Sequence, residues 1–355
     1  MAEALLPDPV LQRVLRLAAR RQVRRWEGQL DAAPDLFAAA YERYWATGEI
    51  PADAGELLFL ATWSSSGVSP RGEMRRQAPP YDPDSFATFT DDLLHGLDPE
   101  TVAAAVEDRG FYISPTRLPD AVVDDIRTVL DEGPAEPRGD RIDDASPGAP
   151  RPTAPTWWMS PSDALRATSA KRLLQERRLA QIAGTYLGHD PTIMSMALWR
   201  SFAWPSADNL SAQQFHYDID RPAFIKMFVY LTDVDATTGP HTYVPRSHRE
   251  KPKELLHGGR LTDDEVARHY PREQWEVITG TKGTVFFADT QGFHKGGLVQ
   301  TGSRAMFQIN VASDRFGIHE PPIGPVAASP PDLTENVLAA PRYFQGLFTP
   351  ADSIP

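Results

Sequence analysis

From Thr192 onward the chain breaks into short strand-like runs, and this pattern restricts its architecture more than any other feature. The runs cover 192–203, 211–218, 223–232, 240–245, 276–279, 284–288, 296–300 and 304–312. Turn signals separate them, among them Thr238-Gly239-Pro240, Thr279-Gly280 and Thr301-Gly302. Runs of this length, rich in β-branched and aromatic residues and bounded by such turns, read as strands. Many short strands after a helical preface point to a jelly-roll barrel with helices packed outside it.

The preface and the insertions divide the chain. Residues 1–95 read as a helical N-terminal extension. Val10, Val14, Leu17 and Ala18 share one helical face, and Arg20, Arg21, Arg24 and Arg25 follow. A second amphipathic run, Pro34 to Ala46, sets Leu36, Ala40, Tyr41 and Tyr44 on one side. Residues 96–320 form the expected barrel domain. Its entry is a helix from Pro99 to Asp108 capped by Asp98, a strand from Gly110 to Ser114, and a helix from Leu118 to Leu130 opening at Pro119. Ala164 to Gly188 is again helical. Residues 131–156 read as a long loop, and the charged stretch 249–275 as a lid-like insertion. Residues 321–355 form a Pro-rich C-terminal tail expected to wrap the surface.

Composition removes several classes of function. The 355 residues carry a net charge of -12, which argues against general binding to nucleic acid or to an anionic membrane. There is no cysteine, so disulfides, thiolate nucleophiles, Fe–S clusters and cysteine zinc sites are excluded. The first residues lack the order of a signal peptide, and no apolar run approaches the roughly 18 residues that span a bilayer. The expected location is cytoplasmic and the expected partner a small molecule.

His216-Tyr217-Asp218 is the strongest chemical signal. In a strand, side chains at i and i+2 point to the same face about 7 Å apart, so both can reach one ion. His294 ends a second apolar run, Thr284 to Ala288 and its turn. Two imidazoles and one carboxylate can fill one face of an octahedral metal and leave the other open, the arrangement of non-haem Fe(II) oxygenases. Glycines at 296 and 297 let backbone approach closely there. A rival pair, His248-Arg249-Glu250, follows a turn and leads into charge, and His248 is expected to hold that turn by hydrogen bonding. His241 either lines the mouth of the site or serves the structure. Trp157, Trp158 and Trp199 are either pocket aromatics or core.

Arg304 lies ten positions beyond His294. Arg304, Met306, Gln308 and Asn310 alternate with Phe307, Ile309 and Val311, which sets one polar row on a single strand face. A polar row inside a barrel is costly unless something pairs with it. A dicarboxylate held by the guanidinium fork at one end and the metal at the other would do so. The alternative is a protein carboxylate as the partner of Arg304.

These residues resemble the phytanoyl-CoA dioxygenase family, Fe(II)- and 2-oxoglutarate-dependent oxygenases that include ectoine hydroxylase. The resemblance spans roughly residues 100–315. It is carried by Glu107-Asp-Arg-Gly-Phe-Tyr-Ile113, His216-Tyr-Asp218, Phe228-Val-Tyr-Leu-Thr-Asp-Val-Asp235, Gly239-Pro-His-Thr-Tyr-Val-Pro-Arg-Ser-His248, His294 and Arg304. It implies a cupin-like double-stranded β-helix, with Fe(II) held by His216, Asp218 and His294. It further implies that Arg304 grips the distal carboxylate of 2-oxoglutarate, with Lys226 as a second co-substrate contact and Gln214 as a looser one. If Lys226 points inward, Phe224, Phe228 and Tyr230 line the cavity with it, and Ile225, Met227, Val229 and Leu231 face the helices. Two departures stand out: Arg246 occupies a turn position where glycine is frequent, and Gly296 replaces a serine that faces the co-substrate in some members. A carboxylate at 218 implies hydroxylation or another oxidation, since related halogenases have Ala or Gly there. The implied activity is oxidation of an unactivated C–H bond with O₂, 2-oxoglutarate giving succinate and CO₂. Composition of this kind is common in high-GC bacteria, where such enzymes act on specialised metabolites or sugar-containing compounds. Two other readings remain at this point: a cupin-like metalloenzyme with Zn or Mn and no 2-oxoglutarate, and a non-catalytic metabolite-binding barrel.

Overall fold

The computed structural model of the chain describes residues 30–72, 77–90, 92–138, 154–204, 213–256, 259–318 and 321–349. The segment from Val10 to Arg25 lies outside them. Helices α1 (Ala33–Thr47) and α2 (Ala54–Ser64) form the described part of the extension. Helices α3 (Pro99–Arg109) and α4 (Asp120–Glu132) flank strand β1 (Phe111–Arg117). The stretch expected as one helix to Gly188 is three: α5 (Pro161–Ala164), α6 (Thr168–Leu174) and α7 (Arg177–Leu187). Strand β2 (Glu136–Arg138) falls inside the expected loop 131–156, β3 (Thr156–Met159) begins at its end, and β4 (Thr192–Phe202) follows α7.

Strand β5 (Phe224–Tyr230) is buried along its whole length, as a central strand must be. After β6 (His241–Tyr243) comes the short helix α8 (Asp263–Ala267), then β7 (Glu276–Ile278), β8 (Thr284–Ala288), β9 (His294–Gly296) and β10 (Ser303–Ala312). The tail is not merely a wrapping. It holds β11 (Gly324–Pro325), α9 (Pro331–Ala339), α10 (Pro341–Phe344) and β12 (Phe348–Thr349), and Tyr343 and Phe344 are buried in the core.

A seven-stranded antiparallel sheet runs in the order β1-β8-β5-β10-β4-β3-β2, and a three-stranded one in the order β7-β6-β9. The closed barrel of the sequence reading is therefore corrected: among the described residues two antiparallel sheets form a mixed α/β fold, and single bridges link the site segments between them. Two expected strands also differ. Of 211–218, the described residues 213–218 contribute bridges at Phe215 and His216 and no strand, and the run at 296–300 is a loop, its strand having begun at His294.

Period-two patterning decides which face of the large sheet meets which layer. Ile225, Met227, Val229, Phe307, Ile309 and Val311 pack under the helices. Phe228, Tyr230, Phe286 and Met306 face the small sheet. Each fully buried side chain of this size contributes roughly 1.5–3 kcal/mol. Helix α1 docks through Phe37, Tyr41 and Tyr44, while Leu36, placed by the sequence on that face, is half exposed. Asp98 caps α3 as expected, accepting from the Thr101 N–H at 2.9 Å. Among the described residues no helix is long and apolar enough to cross a membrane.

Candidate metal centre

Three side chains from two segments of the chain converge between the sheets. Candidate donor atoms of His216, Asp218 and His294 all lie within 4.8 Å of one another. The His216 Nε2 is 3.9 Å from one Asp218 oxygen, and the His294 Nε2 is 3.6 Å from the other. Backbone bonding rather than a regular strand brings them together. The N–H of His216 donates to the His294 carbonyl at 3.0 Å, and the N–H of His294 returns the bond at 2.9 Å. The Asp218 N–H then donates to the Thr290 carbonyl at 2.8 Å.

The same turns set the tautomers. Each imidazole turns its Nδ1 to a carbonyl two residues earlier, His216 to Gln214 at 3.0 Å and His294 to Gly292 at 2.9 Å. An Nδ1–H bonded to a carbonyl leaves the Nε2 lone pair free for a metal. Burial holds both imidazoles below the ordinary histidine value, so both are neutral near pH 7. Burial would raise the Asp218 carboxyl, but the Lys226 ammonium, bonded to it, holds it well below the usual carboxylate range. Two neutral imidazoles and an ionised carboxylate suit a divalent first-row metal.

Glycine at 292 has a steric reason. A Cβ there would meet the Tyr243 hydroxyl, and the Ser247 Oγ at 3.0 Å. That hydroxyl donates to the Asp289 carbonyl at 2.7 Å, which shapes the turn leading to His294. Asp289 is fully buried, ion-paired to Arg71 and hydrogen-bonded by the Tyr186 hydroxyl at 2.6 Å.

A cavity of about 810 Å³ opens from the triad. Arg304, Met306, Gln308 and Asn310 all line it, so the polar row of β10 faces inward as read. Arg304 is 4% exposed. Its Nη1 donates to the Gly239 carbonyl and its Nε has no partner. Among the described residues no carboxylate pairs with it. Burial lowers its pKa.

The other expected contacts fall differently. Lys226 points inward, but its Nζ is bonded to Asp218 at 2.7 Å and Asp220 at 3.2 Å. Gln214 offers its carbonyl to His216, and it is the neighbouring Gln213 whose side chain reaches the cavity. His248 bonds the Glu107 carbonyl at 3.1 Å and holds its turn as expected. Arg246 accepts the left-handed conformation at φ 65°, anchored by its N–H to the Arg109 carbonyl and its guanidinium to Asp108. Trp158 and Trp199 stack 4.8 Å apart in the cavity wall. Sequence reasoning did not place Pro321, Ile323, Gly346 and Leu347 in that wall; nothing in a Pro-rich tail signals a distant cavity.

The insertion 249–275 backs the metal segment rather than covering the cavity. Leu261 bridges Phe215, and Leu255, Leu261 and Val266 pack with Phe215 and Phe293. None of its described residues lines the cavity. The N-terminal extension braces the same region. The Trp63 indole donates to the Tyr217 hydroxyl at 3.1 Å, and Lys251, bonded to the Gly67 carbonyl at 2.9 Å, sits 5.3 Å over the Tyr217 ring.

The sequence profile of a family described as phytanoyl-CoA dioxygenase matches residues 110–306. No curated protein matches. Among solved structures, AviO1 from Streptomyces viridochromogenes is 19% identical with a TM-score of 0.44, over 63% of this chain and 99% of that one. The α-ketoglutarate-dependent carbocyclase SnoK of nogalamycin biosynthesis is 16% identical with a TM-score of 0.46, over 65% and 91%. EctD from S. alaskensis with bound Fe is 19% identical with a TM-score of 0.45, over 69% and 88%.

Proposed function

The chain belongs to the phytanoyl-CoA dioxygenase family of non-haem iron, 2-oxoglutarate-dependent enzymes, and on that premise we propose that it oxidises an unactivated C–H bond of a small molecule. We read the two facing sheets as the walls of a double-stranded β-helix. His216, Asp218 and His294 would hold Fe(II). With 2-oxoglutarate and O₂, the bound metal supplies the oxidising chemistry, the keto acid leaving as succinate and CO₂.

The rest falls to this chain's own residues. The carbonyls of Gln214 and Gly292 keep both imidazoles in the ligating tautomer. Lys226 balances charge on Asp218 and Asp220 and, lining the same cavity, would contact the co-substrate as well. Arg304 would take the distal carboxylate in a fork, its Nη1 already held by the Gly239 carbonyl. The single observation that carries the reading is this buried guanidinium, which has no carboxylate partner among the described residues and shares a cavity with the triad. It favours 2-oxoglutarate over the Zn or Mn metalloenzyme, for which an outward-turned Arg304 would be expected. A complete donor set likewise favours an enzyme over a passive binding barrel. The substrate is proposed to be a specialised metabolite or a sugar-containing compound.

The test is anaerobic addition of Fe(II) and 2-oxoglutarate. A weak visible charge-transfer band should appear, and admission of O₂ should release succinate slowly without a prime substrate. His216→Ala should abolish both. A wild-type protein that gives neither, or a variant that keeps both, refutes the proposal.

A further inference from the structure

His241 lies outside the metal set, and neither of its ring nitrogens is bonded among the described residues. It is 5% exposed, lines the cavity, and its buried Nε2 has no partner. Its ring stacks on His294 at 5.5 Å and 15°. Phe228 and Phe286 pack on it, each at 5.2 Å, and neither offers an acceptor. Packing therefore explains why a flat ring stands here but not why it carries nitrogen.

Its place along the chain suggests the missing partner. The Gly239 carbonyl, two residues earlier, holds Arg304, and the His241 N–H is fixed by the Tyr230 hydroxyl at 3.0 Å. One short stretch thus sets both the Arg304 guanidinium and the His241 ring, and that ring leans on a triad residue. The triad, His241 and Arg304 line one cavity, so a molecule held at both ends of it shares that space with the His241 ring. An unmet imidazole N–H in such a site costs free energy until a ligand accepts from it.

Resting on the reading above, we infer that His241 is a co-substrate-binding residue whose Nε2–H donates to a carboxylate oxygen of 2-oxoglutarate. A carboxylate offers only acceptors, so its arrival selects the tautomer with hydrogen on Nε2.

The experiment titrates 2-oxoglutarate into Mn(II)-loaded enzyme by calorimetry, for the wild type, His241→Phe and His241→Gln. Phe keeps the flat packing and loses the donor, and binding should weaken about tenfold or more, as for one lost bond to a charged group. Gln restores a donor and should recover much of that loss. Mn(II) affinity should be equal in all three. Wild-type affinity in His241→Phe overturns the assignment. So does a parallel loss of Mn(II) affinity, which would mean that the ring acts through His294. Failure of the wild type to bind 2-oxoglutarate at all overturns the parent reading instead, and is seen separately. A second measurement needs no variant. In Zn(II)-loaded enzyme with ¹⁵N-labelled histidine, 2-oxoglutarate should bring out one slowly exchanging Nε2–H resonance, and an unchanged spectrum overturns the assignment.

Discussion

Replacing Arg304 by alanine should cripple co-substrate binding while sparing the metal. The side chain is 4% exposed, its Nη1 is satisfied by the Gly239 carbonyl, and its Nε is unmatched. A carboxylate docking on the open edge gains two parallel charge-assisted bonds. Hydrogen bonds to charged groups are worth about 1.5–3 kcal/mol each. The variant removes the buried cation instead of stranding it, so the lower end applies to both bonds, about 3 kcal/mol or roughly 150-fold in Kd. Arg304→Lys keeps the charge but loses the fork, and should fall between, at about tenfold. The assay is anaerobic titration of Fe(II)-loaded enzyme with 2-oxoglutarate, read from the charge-transfer band, beside a separate metal titration. Co-substrate affinity within about threefold of wild type in Arg304→Ala, or metal affinity falling in step with it, would refute the reasoning.

Lys226→Met strips the cation 2.7 Å from Asp218. The metal-free protein should lose about 1–3 kcal/mol in urea unfolding, and Mn(II) should stabilise the variant more than the wild type because it supplies the positive charge that Lys226 gave Asp218; equal stabilisation would sink this account. Gly292→Ala forces a Cβ against the Tyr243 hydroxyl and shifts the carbonyl that orients His294. It should cost about 1–3 kcal/mol of stability and weaken metal binding, so unchanged metal affinity counts against the turn's role. Burial lowers the Lys251 ammonium from 10.5 to about 8. Between those values the native state binds fewer protons than the unfolded chain, so this group's destabilisation is complete below pH 8 and is relieved as pH rises toward 10.5. Relative to Lys251→Met, the wild type should therefore gain stability across that window, and parallel pH profiles would contradict the shift.

The candidate metal donors were legible because ligation needs particular residue types, and a residue type is what a sequence states outright. The inward row from Arg304 to Asn310 was legible for another reason: a period of two survives whatever the strand packs against. What failed was continuity. His216 and Asp218 looked like a strand pair, yet two reciprocal bonds to His294 and one to Thr290 do the aligning, and such long-range bonds leave no periodic trace. The barrel was overdrawn for a similar reason, since strand patterning shows which residues face inward but not which edges join. Leu36 was assigned to the buried face of its helix because it is apolar, whereas Phe37, one position on, fits the groove beside Phe316 at 5.3 Å. His241 could not be decided from sequence because packing and binding demand the same flat ring; only its bare Nε2 separates the two.

Tyr217 sits between two of the three candidate donors; its hydroxyl is held by Trp63, outside the family-matched span, and its ring is covered by Lys251, which bonds Gly67, also outside that span. The extension is thus a splint on the tripeptide proposed to hold iron rather than a separate passenger. Anyone grafting this catalytic domain onto another protein, or trimming it toward residue 110, would need to carry residues 54–72 along or redesign the back of Tyr217. Chain length that looks dispensable by homology would then set how firmly the ion is kept.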